Sequence, residues 1–203
     1  MANEGVNNGR RWFLTATTAV VGAAGAGAAG YAFLASWKPS ARAQSAGAPV
    51  EVDISRIDLE PGARITAQWR GKPVWIFRRN AEQLAALPAL VGRLSDPNSD
   101  NPDQTPAFAK NETRSLKPDI GVLVGICTHL GCSPLLVPEL QPQAFDSEWK
   151  GGFFCPCHNS RFDLAGRVFS GMPAPTNLEV PPHHFVADDP NRIIIGIAPE
   201  EVV

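Results

Sequence analysis

An excess of positive charge is absent, with 18 Lys and Arg against 20 Asp and Glu and a formal charge of −2. Bulk nucleic-acid binding needs a concentrated basic surface, so no nucleic-acid partner is expected. No internal repeat is visible, and charged residues make up only 19% of the chain against 44% hydrophobic ones. That balance can bury a core, and 203 residues suit one domain plus an appendage. Long helices are disfavoured after the first third of the chain. Gly and Pro together number 37, and each weakens a helix interior by about 1 to 3 kcal/mol, which points to short strands and many turns.

Between Arg11 and Lys38 no charge occurs for 26 residues. As a helix this stretch reaches about 39 Å, enough to cross a hydrocarbon core of about 30 Å with tilt. The preceding GRRWFLT at 9–15 resembles a twin-arginine export signal, a route that carries folded, cofactor-loaded proteins. Ala41-Arg42-Ala43 fits a small-residue cleavage site, but the apolar part exceeds the about 7 to 15 residues of a removable signal, so a retained anchor is expected. Arg10 and Arg11 are balanced by Lys38 and Arg42, which leaves orientation to the export signal: carboxyl terminus outside the cytoplasm. Gly22, Gly25, Ala26, Gly27 and Gly30 would let a neighbouring helix approach closely, and a lipid-facing anchor is the alternative. WKPSARAQSAGAP at 37–49 lacks periodicity and reads as a tether. The expected layout is a cytoplasmic segment 1–11, an anchor 12–37, a hinge 38–49 and a head 50–203.

Residues 50–203 hold 14 basic and 19 acidic side chains, a formal charge of −5. VEVDI, ARITAQW and PVWIFR read as strands, the last two a hairpin around Arg70-Gly71-Lys72. Asn80 is placed to cap a helix running to Leu94 with Leu84, Leu87, Leu90 and Val91 on one face, although Pro88 interrupts it. The polar, turn-rich stretch 95–119 reads as a long surface insertion. Gly121–Ile126 reads as a buried strand leading into Cys127, and HFVA with RIIIGI as a second hairpin, so the head is predominantly antiparallel β. His183 and His184 are expected to be surface or strand residues.

All four Cys fall in CTHLGC at 127–132 and CPCHNS at 155–160, and each motif also carries a His. Two thiolates and two imidazoles from two loops are a metal-site composition. Structural zinc accepts that set as well. A catalytic dithiol is a third reading, but it leaves both His without a role.

CTHLGC followed by CPCH resembles the Rieske iron-sulfur proteins, in which two His replace two Cys on one iron of a 2Fe-2S cluster. The resemblance implies that Cys127 and Cys155 hold one iron, that His129 and His158 hold the other, and that Cys132 and Cys157 form a disulfide. It implies an all-β fold: a Rieske-type antiparallel β-sandwich head with a small cluster-binding subdomain at about 125–176, on one amino-terminal transmembrane helix. The loop SGMPAP at 170–175 would cover the cluster. With the anchor, the export signal and the extra Cys pair, the chain is most similar to Rieske subunits of bacterial cytochrome bc complexes. The small subunit of a periplasmic arsenite oxidase is the alternative.

From that resemblance follow a quinol donor, a cytochrome b subunit and a c-type cytochrome as partners, a dimeric complex, and an inner-membrane location with the head in the periplasm. Neutral His ligands make such a centre easier to reduce, with potentials reaching about +300 mV. His129 and His158 would also exchange quinol protons. The head would swing on its tether between quinol and haem. Leu130 is expected at the exposed tip against quinol or cytochrome b. Ser160 matches the position whose hydroxyl donates to a cluster sulfur. Asn159 and Phe162 depart from the family pattern of Gly and Tyr, and Phe162 removes a phenol donor.

Overall fold

The computed structural model describes residues 5, 7–41, 43, 47–57 and 63–202. Arg42 of the cleavage pattern and part of the hinge lie outside them. Two units are distinguished, Met1–Ser45 and Ala46–Val203.

In the first unit, helix α1 (Asn8–Ser36) begins at an Asn7 cap, whose side chain accepts from the Arg10 backbone N–H at 3.1 Å. It thus starts before the uncharged run and takes in both arginines, while Trp37 closes its other end. None of its residues is buried. A polar hydroxyl is costly in hydrocarbon unless bonded. Thr15, Thr17 and Thr18 donate to the carbonyls of Arg11, Phe13 and Leu14, and Ser36 donates to Phe33, so the helix satisfies its own side chains. Trp12 and Phe13 at one end and Tyr31, Phe33 and Trp37 at the other are exposed aromatics of the kind that settle at bilayer interfaces.

Among its described residues the second unit has nine strands in three antiparallel sheets. Strands β1 (Val50–Asp53), β8 (His183–Val186) and β9 (Asp189–Ile195) form one sheet in the order β1-β9-β8. Strands β2 (Arg64–Trp69), β3 (Lys72–Arg78) and β4 (Ile120–Val124) form the second. Strands β5 (Leu135–Val137), β6 (Gly152–Cys155) and β7 (Ser160–Asp163) form the third. The β2–β3 turn needs only Arg70 and Gly71, both at positive φ, and Lys72 already pairs with Trp69.

Strands alternate their side chains, and here strands β3 and β4 of the middle sheet are apolar on both faces. Val74, Ile76, Val122 and Val124 face Val52, Ile193 and Ile195 of the first sheet, completing a sandwich. Trp75, Phe77 and Leu123 point the other way and meet Phe153 and Phe162 of the third sheet. Trp75 stacks on Phe153 with centroids 5.2 Å apart. Gly121 and Gly125 make this possible, since a Cβ would lie 2.3 Å from the Phe77 ring at the first and 2.2 Å from the Trp75 ring at the second.

The expected helix from Asn80 to Leu94 is shorter. Asn80 and Gln83 form a reciprocal capping box, and α2 (Ala81–Ala86) then gives way to a 3-10 turn at Pro88–Arg93. Pro88 lacks the N–H that would continue the α ladder, and the tighter winding moves Val91 off the buried face to 42% exposure, while Leu87 and Leu90 stay buried.

The stretch 95–119 is not simply a surface insertion. Arg114 within it is buried and donates to the carbonyls of Gln104, Ala165 and Leu178 and to the Thr105 hydroxyl. Arg79, also buried, donates to Thr113, Leu164 and Ile120 carbonyls and to Ser115. Burial pushes both guanidinium groups down to about 10, with Asp163 opposing, so each stays charged at neutral pH. These bonds fasten the stretch to the segment that follows β7.

His183 is a strand residue, as expected, but a buried one. Its Nδ1 lies 2.8 Å from the Pro181 carbonyl, and its ring meets Phe108 edge-on. Burial pushes its pKa down to about 4, below the unfolded value near 6.5, so the fold favours the neutral ring. The stabilisation is complete above about pH 6.5 and is lost as the pH falls toward 4, by roughly 3 kcal/mol in total. Denaturant titrations at pH 7, 6, 5 and 4 are expected to show this loss in the parent and a shallower one in His183→Gln.

Candidate metal centre

Two loops and a third covering segment converge at one end of the β5-β6-β7 sheet. The first loop leaves β4 through Gly125, whose N–H donates to Pro73 at 2.8 Å. It closes on itself when Cys127 donates to the Cys132 carbonyl at 2.7 Å and Gly131 donates to Cys127 at 3.1 Å. Gly131 sits at φ 86°, which favours glycine. The second loop is the tip of the β6–β7 hairpin, where Cys155 pairs with Ser160 and residues 156–159 turn, Asn159 at φ 62°. Asn tolerates the left-handed region better than most residues, which is how it replaces the family's Gly here. The third segment, Ser170–Pro175, is bonded from Ala174 N–H to the Ser160 hydroxyl oxygen at 3.1 Å. Thr128 ties the first loop to the same stretch by donating to the Thr176 carbonyl at 2.7 Å.

This convergence brings the two motifs together. Cys132 and Cys157 are joined as a disulfide with Cα atoms 6.8 Å apart. Cys127 and Cys155 are free and buried, each about 2% exposed. The rings of His129 and His158 stand edge to face with centroids 4.6 Å apart. His129 is half-buried and His158 exposed. The sulfurs of Cys132, Cys155 and Cys157 also lie within 4.8 Å of one another, but two of them are committed to the disulfide and offer no thiolate.

Burial pushes the Cys127 thiol up, and the Cys155 side chain adds to this, while the His129 backbone N–H and the Ser160 hydroxyl act against it. A metal must therefore displace a proton held more tightly than usual. Nδ1 of His129 is buried without a hydrogen-bond partner. A buried polar nitrogen left unpaired is unfavourable, and a coordinated cation would satisfy it. Two free sulfurs and two neighbouring imidazoles, one with an orphaned nitrogen, fit a centre with mixed Cys and His ligands.

The remaining expected residues take different places. Leu130 is 73% exposed at the tip. Ser160 is fully buried, and its hydroxyl favours the ionised form of the Cys127 thiol. Phe162 is fully buried in the same apolar cluster as Cys127 and Cys155. Thr128, Arg161 and Met172 were not singled out from the sequence. No local pattern marks them, because each acts across loops that only the fold brings together.

The chain is similar to known proteins over most of its length. Residues 101–182 match the Rieske 2Fe-2S domain, and residues 1–40 match the Ubiquitinol-cytochrome C reductase Fe-S subunit TAT signal. The ubiquinol-cytochrome c reductase iron-sulfur subunit of Allochromatium vinosum is 57% identical over 196 residues, covering 97% of this chain and 92% of that one. The corresponding subunit of Blastochloris viridis is 41% identical over 190 residues, covering 93% and 94%. A chain from a hyperthermophilic respiratory Complex III is 25% identical, with a TM-score of 0.46, over 88% of this chain and 98% of that one.

Cys132→Ser or Cys157→Ser is expected to keep both free cysteines and both His while losing the clip between the loops. Opening a closure of 25 residues lowers stability by about 3 kcal/mol, read as a fall in the urea midpoint. Thiol labelling of Cys132 or Cys157 in the native parent would contradict the bond.

Proposed function

Because this chain belongs to the ubiquinol-cytochrome c reductase iron-sulfur subunits, we propose that Cys127 and Cys155 hold one iron of its Rieske 2Fe-2S cluster and His129 and His158 the other. The chain is the electron-transfer subunit of a quinol:cytochrome c reductase. The observation that carries the ligand assignment is the convergence of two free, buried thiols with two adjoining imidazoles, beside a disulfide that removes the other two sulfurs from contention. Once bound, the cluster supplies a one-electron acceptor for quinol and a donor to a c-type cytochrome.

The protein's own groups handle the rest. His129 offers its orphaned Nδ1 to iron, which leaves Nε2 for a proton. His158, exposed at the tip, has one ring nitrogen to spare in the same way. Such rings accept the proton that leaves quinol and return it to solvent. Leu130, projecting beside them, excludes water where quinol and the cytochrome b subunit dock. Ser160 holds the Cys127 sulfur by its hydroxyl, and the disulfide keeps the two loops from parting.

In this reading α1 anchors the subunit in the bacterial inner membrane. The head lies on the periplasmic side, the hinge lets it travel between cytochrome b and the c-type cytochrome, and the complex is dimeric. The export-signal match and the long apolar helix support that placement. The arsenite oxidase reading is set aside, since both bacterial relatives above are quinol-cytochrome reductase subunits.

Electron paramagnetic resonance of reduced membranes tests the assignment. A mixed Cys/His cluster gives a low average g value, and His129→Gln or His158→Gln is expected to abolish that signal and quinol oxidation together. Full turnover in either variant would defeat it. Phe162→Tyr restores a phenol within the cluster's apolar surroundings, where a hydrogen bond to a ligand sulfur would favour the reduced state. Its midpoint potential is expected to rise, and redox titration of the membranes decides.

A further inference from the structure

The segment Ser170–Pro175 starts at Ser170, whose N–H donates to the Arg93 carbonyl at 2.8 Å, and is then held by one side chain from each face of β7. Successive strand residues face opposite ways, and here Ser160 and Arg161 use that alternation. Ser160, fully buried and paired with Cys155 across the hairpin, accepts from Ala174 N–H at 3.1 Å. Arg161 reaches the same segment two residues earlier, where its Nε–H donates to the Met172 sulfur at 3.4 Å. Gly171, just before Met172, sits at φ 72° with open space around it and gives the chain freedom to pivot there.

The guanidinium of Arg161 is itself held in place. It donates to the Phe145 carbonyl at 3.0 Å and pairs with Asp146 at 3.1 Å. The Asp146 carboxylate is only 4% exposed and also receives Arg93 at 2.7 Å. A carboxylate buried to this degree between two cations keeps both fixed, because moving either would leave charge unpaired. Met172 packs against two apolar clusters, the one that contains Cys127 and Cys155 and the one around Trp149, so its position is transmitted to both.

We propose that Arg161, steadied by Asp146, is a positioning residue for the cluster: it clasps Met172, and thereby keeps Ala174 on Ser160 and the Ser160 hydroxyl aimed at Cys127. The chemistry of a hydroxyl makes this consequential. It has one hydrogen and two lone pairs. When Ala174 N–H takes a lone pair, the hydrogen is directed to the sulfur, where its donation stabilises added electron density. Displacement of Ala174 frees the hydroxyl to rotate, and the donation weakens. The inference rests on the reading of Cys127 as a cluster ligand.

The test uses the full-length chain assembled in membranes, with the cluster's paramagnetic line positions and midpoint potential as readouts. Met172→Leu preserves bulk and removes the acceptor. Arg161→Gln removes the clasp, and Asp146→Asn loosens its support. All three are expected to shift the lines and lower the midpoint, and the Arg161→Gln/Met172→Leu pair is expected to shift no further than Arg161→Gln alone. In a Ser160→Ala background, Met172→Leu is expected to have no effect. A midpoint that moves in Arg161→Gln but not in Met172→Leu would assign the effect to charge and overturn the proposal. Unchanged lines and midpoint in Met172→Leu overturn it even if Arg161→Gln does not assemble. A parent without the low-average-g signal would refute the ligand assignment, and the proposal with it.

Discussion

A pair of strands with no polar face is the constraint on which the head depends. Strands β3 and β4 are apolar on both sides, so neither side can be left to water, and two further sheets must pack against them. One of these sheets closes the sandwich, and the other carries the cysteines. Trp75 and Phe77 therefore serve both as core and as the floor under Cys127 and Cys155. Gly121 and Gly125 admit the rings, and any side chain there would push the cysteine-bearing sheet off its support.

On that floor the loops are fixed by polar bonds of unusually deep burial. Arg167 and Asp163 are both almost inaccessible and pair at 2.8 Å, and Asp163 also accepts the backbone N–H groups of Ala165 and Arg167. With Arg79 and Arg114 spanning to neighbouring carbonyls, the turn after β7 is bound from three directions. Removing one partner of such a buried set leaves the others unsatisfied, so the set holds as a unit. Rigid loops suit an electron carrier, whose ligands gain nothing from moving when an electron arrives.

The sequence made some of this legible for a clear reason. Strands β2, β3 and β9 carry regular apolar runs bounded by turn formers, and CTHLGC and CPCH hold their chemistry within six residues each, so local pattern sufficed. The short α2 and the exposed Val91 were missed because a proline's effect on winding overrides side-chain periodicity. The stretch 95–119 reads as a surface insertion because charge ordinarily faces water, whereas the carbonyl partners that bury its Arg114, at Gln104, Ala165 and Leu178, come from separated segments. The buried state of His183 depends likewise on Phe108, which comes from a stretch with no strand. In each case the deciding partner was distant in the chain.

The hydroxyls of α1 fold back on its own carbonyls. A span whose polar groups are already satisfied demands no neighbour in order to rest in lipid. These four hydroxyls therefore place no demand on a second helix, and close packing against one would have to rest on the small residues of α1 instead.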